Sequence, residues 1–426
     1  MMDSSGNQEV RDRWERKRWA SFAENLDQVA ASNPFQQVHV SSLRERNQWF
    51  EFGDFINACP FTTKEDLARD REENNPYGTN LTFPVSEYKK CNQTSGTRGP
   101  PMTWMDTMDD WRWMLGNWDQ VLEAAGVQSG SRCYFAFSFG PFLGFWTAYD
   151  AATQRGCICI PGGGQSTQNR LHTILDQQAE YLFCTPTYAK RLTGVAEENG
   201  VDLSRHGLKA MIVAGETGGS VLPLRKQIIG SWGKGLQIHD HYGMTEVGPV
   251  AFETPGYEGG LRIILDSYLP EVIDPDSTDP VGEGEQGELV LTTLGRVGCP
   301  VFRYRTGDLV QAKSGTDEMG LPTFDLLGGI LGRVDDMVVV RGVNLYPSAI
   351  DAILAEFPEI LEYQVVFTNH SSMVEVEIRV EVRVEISRQL EQVLQEAFSL
   401  RIPVTVMEKG SLPRPEMKAN RWIKLK

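Results

Sequence analysis

The sequence predicts an α/β protein: a large N-terminal layered α/β domain with a β-hairpin subdomain, and a small C-terminal α+β domain. Two observations predict this class. Between about residues 130 and 310, short apolar runs are each followed by a Gly- or Pro-marked turn and a helix-length stretch, which is typical of a sheet covered by helices on both faces. After Gly332 the pattern changes to β-α-β-β-α-β within about 94 residues. We therefore predict domains at residues 1–331 and 332–426.

The N-terminal domain has a regular sequence of expected elements. Residues 8–30 place apolar side chains among charges at helical spacing, which predicts an amphipathic helix. The expected strands of the layered sheet are RCYFAF (132–137), CICIP (157–161), YLFCTP (181–186) and LKAMIVAGE (208–216). Helices are expected between them, for example at Thr167–Ala179 and Pro223–Trp232. Near Asp266 the pattern changes to β-hairpins with glycine turns, at RIILD, GELVLTT and PVFRYRTGDLVQAK.

The C-terminal domain is expected to follow the order strand, helix, two strands, helix, strand. Its segments are MVVVRGVNLYP, helical SAIDAILAEF, the strands LEYQVVFT and MVEVEIRVEVRVEI, a helix at Ser387–Leu400, and VTVME. In MVEVEIRVEVRVEI, hydrophobic and charged residues alternate strictly, which predicts one buried and one solvated face. The charges of this run are therefore expected to lie in water.

The charge balance excludes several classes of partner. The 426 residues include 41 basic and 57 acidic ones, a net charge of −16, so a broad face for nucleic acid or an anionic membrane is not expected. The N-terminus has no apolar core of a secretory signal, and the longest apolar run is too short to span a bilayer. Seven cysteines at no zinc-like spacing are expected to be reduced core residues, which predicts a cytoplasmic protein.

One candidate site is the loop that follows Gln93. From Thr94 to Gly99 every residue is a hydroxyl residue, a glycine or an arginine, so the loop's N–H and O–H groups can surround phosphate oxygens. It is not a Walker loop, because no Lys-Ser/Thr pair follows the second glycine. Taken alone, such a loop can also be a simple connection.

Two further motifs suit a nucleotide. In the segment from His239 to Glu246, an aromatic ring can stack on a base and a carboxylate can hold a magnesium ion with its waters. The His-Asp-His triplet within it also allows a metal site, although no third ligand is evident. In Arg303–Leu309, Asp308 follows a glycine and can accept hydrogen bonds from two ribose hydroxyls. The alternative for Asp308 is a carboxylate that only caps a hairpin turn.

The last two motifs lie in or near the C-terminal domain. The segment Gly332-Arg333-Val334-Asp335-Asp336 stands at the predicted boundary, where a hinge must absorb a backbone change. The segment from Leu412 to Arg421 contains Lys418, which is either a solvated charge or a movable cation for a phosphate.

The order and spacing of these motifs resemble the adenylate-forming superfamily of acyl-CoA synthetases and, within it, the phenylacetate–CoA ligase family. The resemblance covers almost the whole chain. Its matching segments are Cys59–Leu67, Thr94–Pro101, Tyr242–Glu246, Arg303–Leu309, Gly332–Pro347 and Leu412–Arg421. It implies the adenylate-forming enzyme fold, with a mobile small C-terminal domain.

The resemblance implies ATP-dependent activation of a carboxylic acid to acyl-AMP, followed by transfer to the CoA thiol with release of AMP and pyrophosphate. ATP, Mg²⁺ and CoA would take part, and a homodimer is possible. Aromatic residues between Tyr134 and Trp146 suggest an aryl or arylacetic acid, although they could also be core residues. The first alternative is an adenylating enzyme that loads a carrier-protein thiol or an amine. A second is a catalytically silent nucleotide- or acyl-binding module.

The resemblance also assigns roles to residues of this sequence. The catalytic residues would be Lys418, Glu246, Thr94 and Thr97, with Glu246 also holding Mg²⁺. Tyr242 would contact adenine and Asp308 the ribose. The full nucleotide-binding set would be Ser95, Gly96, Gly99, Gly215, Glu216, His241, Tyr242, Gly243, Thr245, Asp308 and Arg333. Asp335 would be the hinge, Gly342 would line the CoA tunnel, and the acid pocket would include Phe139, Gly140 and Phe142.

Four features depart from the family pattern, one of which is Pro100 before Pro101, where the family often has a lysine. Arg98 stands where a second threonine is usual, and Met417 replaces the glycine before the catalytic lysine. The segment Ala251-Phe252-Glu253 lacks the cysteine that some relatives carry, so no structural zinc is expected.

Overall fold

The structure is a computed structural model, and it describes residues 4–44, 51–94, 101–216, 219–233, 235–336, 338–341, 343–370, 373–413 and 421–425. The helices are α1 (Ser4–Ser32), α2 (Pro34–Arg44), α3 (Phe52–Ala58), α4 (Lys64–Glu73), α5 (Met108–Ala124), α6 (Leu143–Gln154), α7 (Thr167–Asp176), α8 (Pro186–Asn199), α9 (Leu222–Trp232), α10 (Pro347–Ala355) and α11 (Ser387–Phe398).

The strands of the first part of the chain are β1 (Tyr88–Gln93), β2 (Thr103–Thr107), β3 (Arg132–Phe135), β4 (Ile158–Pro161), β5 (Tyr181–Cys184), β6 (Ala210–Ala214), β7 (Gln237–Met244), β8 (Gly248–Phe252), β9 (Leu261–Ile263), β10 (Tyr268–Ile273), β11 (Gln286–Thr293), β12 (Tyr304–Thr316), β13 (Pro322–Leu326) and β14 (Gly332–Arg333). Those of the second part are β15 (Val338–Val340), β16 (Val343–Leu345), β17 (Ile360–His370), β18 (Met373–Val382), β19 (Val404–Val406) and β20 (Trp422–Leu425).

A large mixed sheet organises the first part of the chain. Its strand order is β10-β11-β12-β13-β9-β8-β7-β6-β5-β3-β4, and β14 pairs with β12. Strands β4, β3, β5, β6 and β7 are parallel, so their carboxyl ends lie at one edge of the sheet. In open parallel sheets, ligands bind outside this edge, where neighbouring strands connect in opposite directions. The order places β4 and β5 on opposite sides of β3, so such a point exists here.

Helices cover both faces of the parallel strands, which confirms the predicted layers. On one face, α7, α8 and α9 bury Leu171, Leu192 and Trp232 against the sheet. On the other face, α5 and α6 bury Trp118 and Ala148. The strands are buried on both sides, because successive side chains point to opposite faces. This is why they appear in the sequence as continuous apolar runs.

The change to hairpins begins earlier than predicted. Strands β7 and β8 are antiparallel, so the change occurs after Met244 rather than near Asp266. The reason is a tight backbone approach: a Cβ on Gly243 would lie 2.6 Å from the carbonyl oxygen of Gly248. The RIILD segment contributes to strand β9, which pairs antiparallel with β8 and β13. The strand β10, which pairs with β11, was not predicted.

The second part of the chain has its own sheet and apolar core. Strands β17 and β18 form a long antiparallel hairpin, with β20 parallel to β17 and β19 parallel to β18. Helices α10 and α11 contribute Ile350, Leu390 and Leu394 to this core. MVVVRGVNLYP forms a hairpin of β15 and β16 rather than one strand. The predicted α+β class is confirmed.

The alternation in β18 holds at most positions and fails at one. Val376, Ile378 and Val380 are buried as predicted. Glu381, on the face predicted to be solvated, is fully buried. The reason is that backbone from Gly410 to Leu412 covers it and donates hydrogen bonds to its carboxylate. A sequence pattern cannot show that a distant segment folds over a polar face.

The predicted domain division falls beside a strand that joins the large sheet. In β14, Gly332 and Arg333 pair with Leu309 and Asp308 of β12, so the large sheet reaches Arg333. The division between residues 331 and 332 stays a prediction. None of the helices among the described residues is long and apolar enough to cross a membrane.

Candidate active site

Three side chains meet where strands β7, β12 and β14 come together: Tyr242, Asp308 and Arg333. The carboxylate is 5% exposed; its Oδ2 accepts a hydrogen bond from the Tyr242 hydroxyl (2.6 Å) and its Oδ1 accepts one from Arg333 Nη1 (2.8 Å). The pairing of β12 with β14 places Arg333 directly opposite Asp308. The carboxylate thus binds side chains of two other strands, and these are not the contacts of a turn cap; its ligand-binding role stays a prediction.

Burial sets the electrostatics of this group. Burial raises the pKa of Asp308, while the Arg333 guanidinium and the Tyr242 hydroxyl oppose that rise. Burial, followed by the charge of Asp308, raises the pKa of Tyr242 well above its usual value. Tyr242 therefore stays a protonated donor. The glycine before Asp308 is required, since a Cβ on Gly307 (φ +72°) would lie 2.7 Å from Arg333 Nη2.

Glu246 lies in the turn between β7 and β8 and is almost fully buried. Its Oε1 is 3.5 Å from Nζ of Lys64, the first residue of α4. The turn is held from beneath by Arg296, whose Nη1 donates to the carbonyl oxygens of Thr245 (2.8 Å) and Glu246 (2.9 Å). Arg296 and its ion-pair partner Asp106 (2.6 Å) are completely buried.

The sequence analysis did not identify the Arg296–Asp106 pair. Burial raises the pKa of Asp106 to about 6, although the Arg296 guanidinium opposes this shift. Removing one member of a buried pair leaves the other charge uncompensated, so the pair fixes the turn that carries Glu246. The only sequence signal is an arginine two residues after the apolar run GELVLTTL.

The loop after β6 carries Gly215 and Glu216. Gly215 has φ +91°, a conformation that side chains with a Cβ rarely adopt. Glu216 Oε1 accepts hydrogen bonds from the backbone N–H of Thr187 (2.8 Å) and from its hydroxyl. Both residues thus stand at the carboxyl edge of the parallel strands, next to the start of α8.

The His-Asp-His triplet faces the interior. His241 Nδ1 lies 2.9 Å from the carbonyl oxygen of Ala251, and its ring contacts Trp118 (centroids 4.2 Å apart). Burial lowers the pKa of His241 to about 4. Its side chain therefore packs in the core, and the contact of His241 with a nucleotide stays a prediction. Among the described residues, no group of three or more His, Cys, Asp or Glu side chains could hold a metal ion.

A buried ionic network contacts the loop that follows β6. Arg225 binds Glu253 through two hydrogen bonds (2.5 and 2.8 Å) and donates to the carbonyl oxygen of Gly219 (3.3 Å). Asp240 accepts a hydrogen bond from the Ser220 hydroxyl (2.5 Å), and burial raises the pKa of Asp240 to about 6. The sequence analysis did not identify this network.

Thr94 closes the base of the predicted phosphate loop. Its N–H donates to the carbonyl oxygen of Met102, and its Oγ1 accepts from the N–H of Met102, both at 2.9 Å. Six other predicted site residues lie outside the described residues. They are Lys418, Gly342 and four residues of the loop itself, Ser95, Gly96, Thr97 and Gly99.

The predicted acid-pocket residues lie together in the connection from β3 to α6. Phe139, with φ +51°, packs edge-to-face against Trp146 (5.0 Å). The Gly140 carbonyl oxygen accepts a hydrogen bond from Trp146 Nε1 (3.0 Å), and Phe142 precedes the first turn of α6. Gly163 of the next loop lies beside Phe139, where a Cβ would be 3.4 Å from its ring.

Arg333 also connects the nucleotide edge with the predicted hinge. While Nη1 binds Asp308, its Nε lies 3.2 Å from Oδ1 of Asp335. Asp335 stands in a short 3-10 turn, Val334–Asp336, that follows β14. The structure therefore brings Tyr242, Asp308, Arg333 and Asp335 into one hydrogen-bonded chain.

Two family models match this chain. The AMP-binding enzyme model matches residues 92–295, and the AMP-binding enzyme C-terminal domain model matches residues 342–426. The first range includes the parallel strands and Tyr242–Glu246, and the second contains the C-terminal sheet. Fold and site together define an adenylate-forming enzyme.

The curated relatives narrow this class. The chain is 33% identical over 323 residues to the phenylacetate-coenzyme A ligase of Thermus thermophilus, covering 75% of this chain and 70% of the relative. It is 30% identical over 408 residues to that of Escherichia coli, covering 91% and 88%. The chain belongs to the phenylacetate–CoA ligase family, which confirms the resemblance seen in its motifs.

Two solved structures of one enzyme, each in a different functional state, can be compared with the arrangement of the two parts of this chain. The chain superposes on 2-hydroxyisobutyryl-CoA ligase in its postadenylation state with a TM-score of 0.88 at 25% identity, covering 97% of this chain and 90% of the other. For the thioesterification state with CoA, the TM-score is 0.70 at 26% identity, with coverage of 96% and 89%. The described parts are therefore arranged more like the postadenylation state.

Specific contacts hold this arrangement. Lys190 of α8 donates to the carbonyl oxygen of Ile360 (3.3 Å), and Gln227 of α9 donates to that of Ala355 (2.5 Å). Both acceptors belong to the second part of the chain, at the end of α10 and the start of β17. Helices α8 and α9 thus form the surface on which it rests.

Proposed function

We propose that this chain activates an aryl or arylacetic acid with ATP, forming acyl-AMP and pyrophosphate, and then transfers the acyl group to the thiol of CoA with release of AMP. The observation that carries the proposal is the hydrogen-bonded group of Tyr242, Asp308 and Arg333 at the carboxyl edge of the parallel strands. Glu246 lies in the turn that follows the strand of Tyr242. These residues offer a ring for a base, an ionised acceptor for ribose hydroxyls and a carboxylate for a metal–phosphate group.

The first half-reaction needs no nucleophile from the protein. An oxygen of the acid attacks the α-phosphorus of ATP, the bond to the bridging oxygen breaks, and pyrophosphate leaves. Catalysis of such transfers depends on positioning and charge stabilisation. We assign the charge stabilisation to Lys418 and the β- and γ-phosphates to Thr94–Thr97. Tyr242 would contact the adenine, and Asp308 would bind the ribose.

The residues around Glu246 fit a magnesium ion bound together with ATP. Mg²⁺ usually keeps several waters and is held by one or two carboxylates plus substrate phosphates. Glu246 supplies one buried carboxylate, and Nζ of Lys64, whose side chain is 40% exposed, lies 3.5 Å from its Oε1. Bound there, the ion would neutralise phosphate charge.

The aromatic connection between β3 and α6 supports an aryl acid. Phe137 and Phe145 stack at 4.2 Å, and Phe139, Phe142 and Trp146 continue the cluster. Trp146 remains 39% exposed, so this cluster is not sealed in the core. Flat apolar walls favour a flat apolar acyl group, since aromatic pairs gain energy beyond the area they bury.

The second half-reaction requires another arrangement of the C-terminal part. We propose that this part rotates about Asp335, which takes Lys418 away and brings Gly342 toward the thiol. The thiol then attacks the acyl carbon, and AMP leaves. The higher similarity to the postadenylation state than to the thioesterification state supports two such arrangements for this fold.

We also propose that the reaction takes place in the cytoplasm. All seven cysteines are free thiols in the structure, and Cys59, Cys133, Cys184 and Cys299 are buried. Free thiols fit a reducing compartment.

ATP–pyrophosphate exchange tests the proposal. Purified protein is incubated with labelled pyrophosphate, Mg²⁺, ATP and a panel of aromatic, arylacetic and aliphatic acids, and thioester formation is measured after addition of CoA. We expect exchange that depends on an aryl or arylacetic acid and thioester only with CoA. Absence of exchange with every acid would contradict adenylation. Exchange without thioester would point to a carrier protein or an amine, and a preference for aliphatic acids would contradict the proposed substrate class.

A further inference from the structure

A completely buried ion pair lies beneath the turn that carries Glu246. Arg296 follows β11 and Asp106 lies on β2, and neither side chain has exposed surface. The guanidinium Nε donates to Asp106 Oδ1 (2.8 Å), and Nη2 lies 2.6 Å from the same oxygen. The remaining nitrogen, Nη1, points away from Asp106 and binds the turn.

Arg296 holds both peptide groups that flank the Cα of Glu246. Its Nη1 donates to the carbonyl oxygen of Thr245 (2.8 Å) and to that of Glu246 (2.9 Å). Peptide groups are planar, so only the φ and ψ angles of Glu246 lie between these two carbonyl groups. One nitrogen bound to both oxygens therefore restricts these two angles. It thereby restricts the direction in which the Glu246 side chain leaves the backbone.

Asp106 connects the guanidinium to the hairpin of β1 and β2. In this hairpin, Asp106 stands opposite Lys90. Toward its other end, Thr94 and Met102 exchange two hydrogen bonds of 2.9 Å, where the chain enters and leaves the predicted phosphate loop. One guanidinium therefore binds the backbone beside Glu246 and the strand that follows this loop.

Stability alone does not explain a buried ion pair at this place. Asp106 Oδ2 has no hydrogen-bond partner among the described residues, so the buried carboxylate is incompletely satisfied. Apolar side chains of similar volume often replace a buried ion pair with equal or higher stability. Apolar side chains cannot, however, donate hydrogen bonds to the two carbonyl groups beside Glu246. The pair is explained if the direction of Glu246 matters.

The direction of a carboxylate matters most when it binds a magnesium ion. Mg²⁺ requires a nearly ideal octahedron of ligands at about 2.0–2.1 Å. Residues that orient a metal ligand typically change metal affinity or activity by about 10–100-fold when they are replaced. Glu246 is the one carboxylate that the proposed function assigns to the ion, so no second protein ligand would compensate for its displacement.

We propose that Arg296, held by Asp106, is a positioning residue that directs the Glu246 carboxylate toward the magnesium ion bound with ATP. This inference rests on the proposed function, which assigns the ion to Glu246. Both side chains of the pair are completely buried, so they act through the backbone of the turn. The pair should therefore affect the part of ATP binding that depends on Mg²⁺ and leave metal-free ATP binding unchanged.

Isothermal titration of ATP, once with excess Mg²⁺ and once with a chelator, tests this role. We call the ratio of the metal-free Kd to the Kd with Mg²⁺ the magnesium gain. Arg296→Lys keeps a positive charge near Asp106 but lacks the planar fork that binds the carboxylate and both carbonyl oxygens. We expect its magnesium gain to fall about 10-fold or more. The Kd of metal-free ATP should stay within about threefold of the parent.

Arg303→Lys is a matched control. Arg303 Nη1 donates to the carbonyl oxygens of Ile56 (2.7 Å) and Cys59 (2.8 Å), and Nη2 lies 2.7 Å from Glu271 Oε2. This variant removes the same kinds of contact from a largely buried arginine, but none of them involves the turn of Glu246. It should lower the melting temperature and leave the magnesium gain unchanged.

An apolar pair separates positioning from stability. Asp106→Leu combined with Arg296→Met removes both buried charges at once, so neither is left uncompensated. Its melting temperature should be no lower than that of Arg296→Lys. The magnesium gain should nevertheless fall by about as much, because the two carbonyl groups beside Glu246 lose their donor. If Arg296→Lys does not fold, this variant gives the answer.

A further double variant shows whether the effect passes through Glu246. Arg296→Lys combined with Glu246→Gln should lose no more of the magnesium gain than Glu246→Gln alone. Additive losses, an equal loss in Arg303→Lys, or an unchanged gain when Arg296 is replaced would overturn the inference. An unchanged gain in Glu246→Gln would instead contradict the role of Glu246, and with it that part of the proposed function.

Discussion

Replacing Asp308 by asparagine should weaken ATP binding about 30-fold. A carboxylate has about four lone-pair sites, and in this structure Tyr242 and Arg333 use two of them. Two sites remain, which is the number that two ribose hydroxyls require. Asp308→Asn keeps the size of the side chain but leaves one oxygen with two sites, and it turns an amide NH₂ toward a hydroxyl donor or a guanidinium.

The magnitude follows from the charge of the acceptor. Hydrogen bonds to charged groups contribute about 1.5–3 kcal/mol and neutral ones about 0.5–1.5 kcal/mol, so each ribose bond loses about 1 kcal/mol. Two bonds lose about 2 kcal/mol, which corresponds to a Kd roughly 30 times higher. The same change removes the charge of one of the two carboxylates that Arg333 binds, so the melting temperature is also expected to fall.

Isothermal titration of ATP without acid measures this effect. Asp325→Asn is a matched control, because Asp325 is a carboxylate on the neighbouring strand β13 and is bound through two oxygens by Arg262 (2.7 and 3.0 Å). It should lower stability in the same way and leave the Kd of ATP unchanged. A folded Asp308→Asn protein that binds ATP within about threefold of the parent would refute the ribose role.

Three further predictions concern other parts of the mechanism and the fold. Lys418→Ala should lower the rate of pyrophosphate exchange by about 3–4 kcal/mol, or two to three orders of magnitude, with little change in the Kd of ATP; a loss below about fivefold would exclude this role. Asp335→Pro should keep the rate of pyrophosphate exchange, because a 3-10 turn has φ values that proline accepts. The same preparation should form no thioester, and equal loss of both activities would indicate misfolding. His241 has a folded pKa of about 4, below the unfolded value of about 6.5, so its contribution to stability is present above pH 6.5 and is lost as the pH falls toward 4. His241→Gln should therefore reduce the acid sensitivity of thermal unfolding between pH 6.5 and 4 by up to about 3 kcal/mol, and an unchanged pH profile would show that the histidine is not buried as a neutral group.

The sequence determined the class of the fold and the family, and it supplied the candidate nucleotide-binding motifs. A continuous apolar run such as YLFCTP, ended by glycine or proline and followed by a helix, is typical of a strand that is covered on both sides. The layers could therefore be predicted. Asp308 and Tyr242 became candidates because a carboxylate after a glycine can accept hydrogen bonds from ribose hydroxyls and an aromatic ring can stack on a base, and the family resemblance then assigned their roles. These signals are local, since neighbouring residues in the chain produce them.

The tertiary structure decided which side chains support the site. Arg296 and Asp106 are 190 residues apart in the chain, and their pairing beneath Glu246 leaves no local pattern. In the sequence, Glu381 is one more charge on a strand face that is predicted to be solvated. In the structure, the backbone from Gly410 to Leu412 covers it. His241 looked available to a ligand, but the pleat of β7 turns its ring toward Trp118. In each case, the deciding contact joins segments that only folding brings together, and the energy of a buried charge depends on those distant partners rather than on its neighbours in sequence.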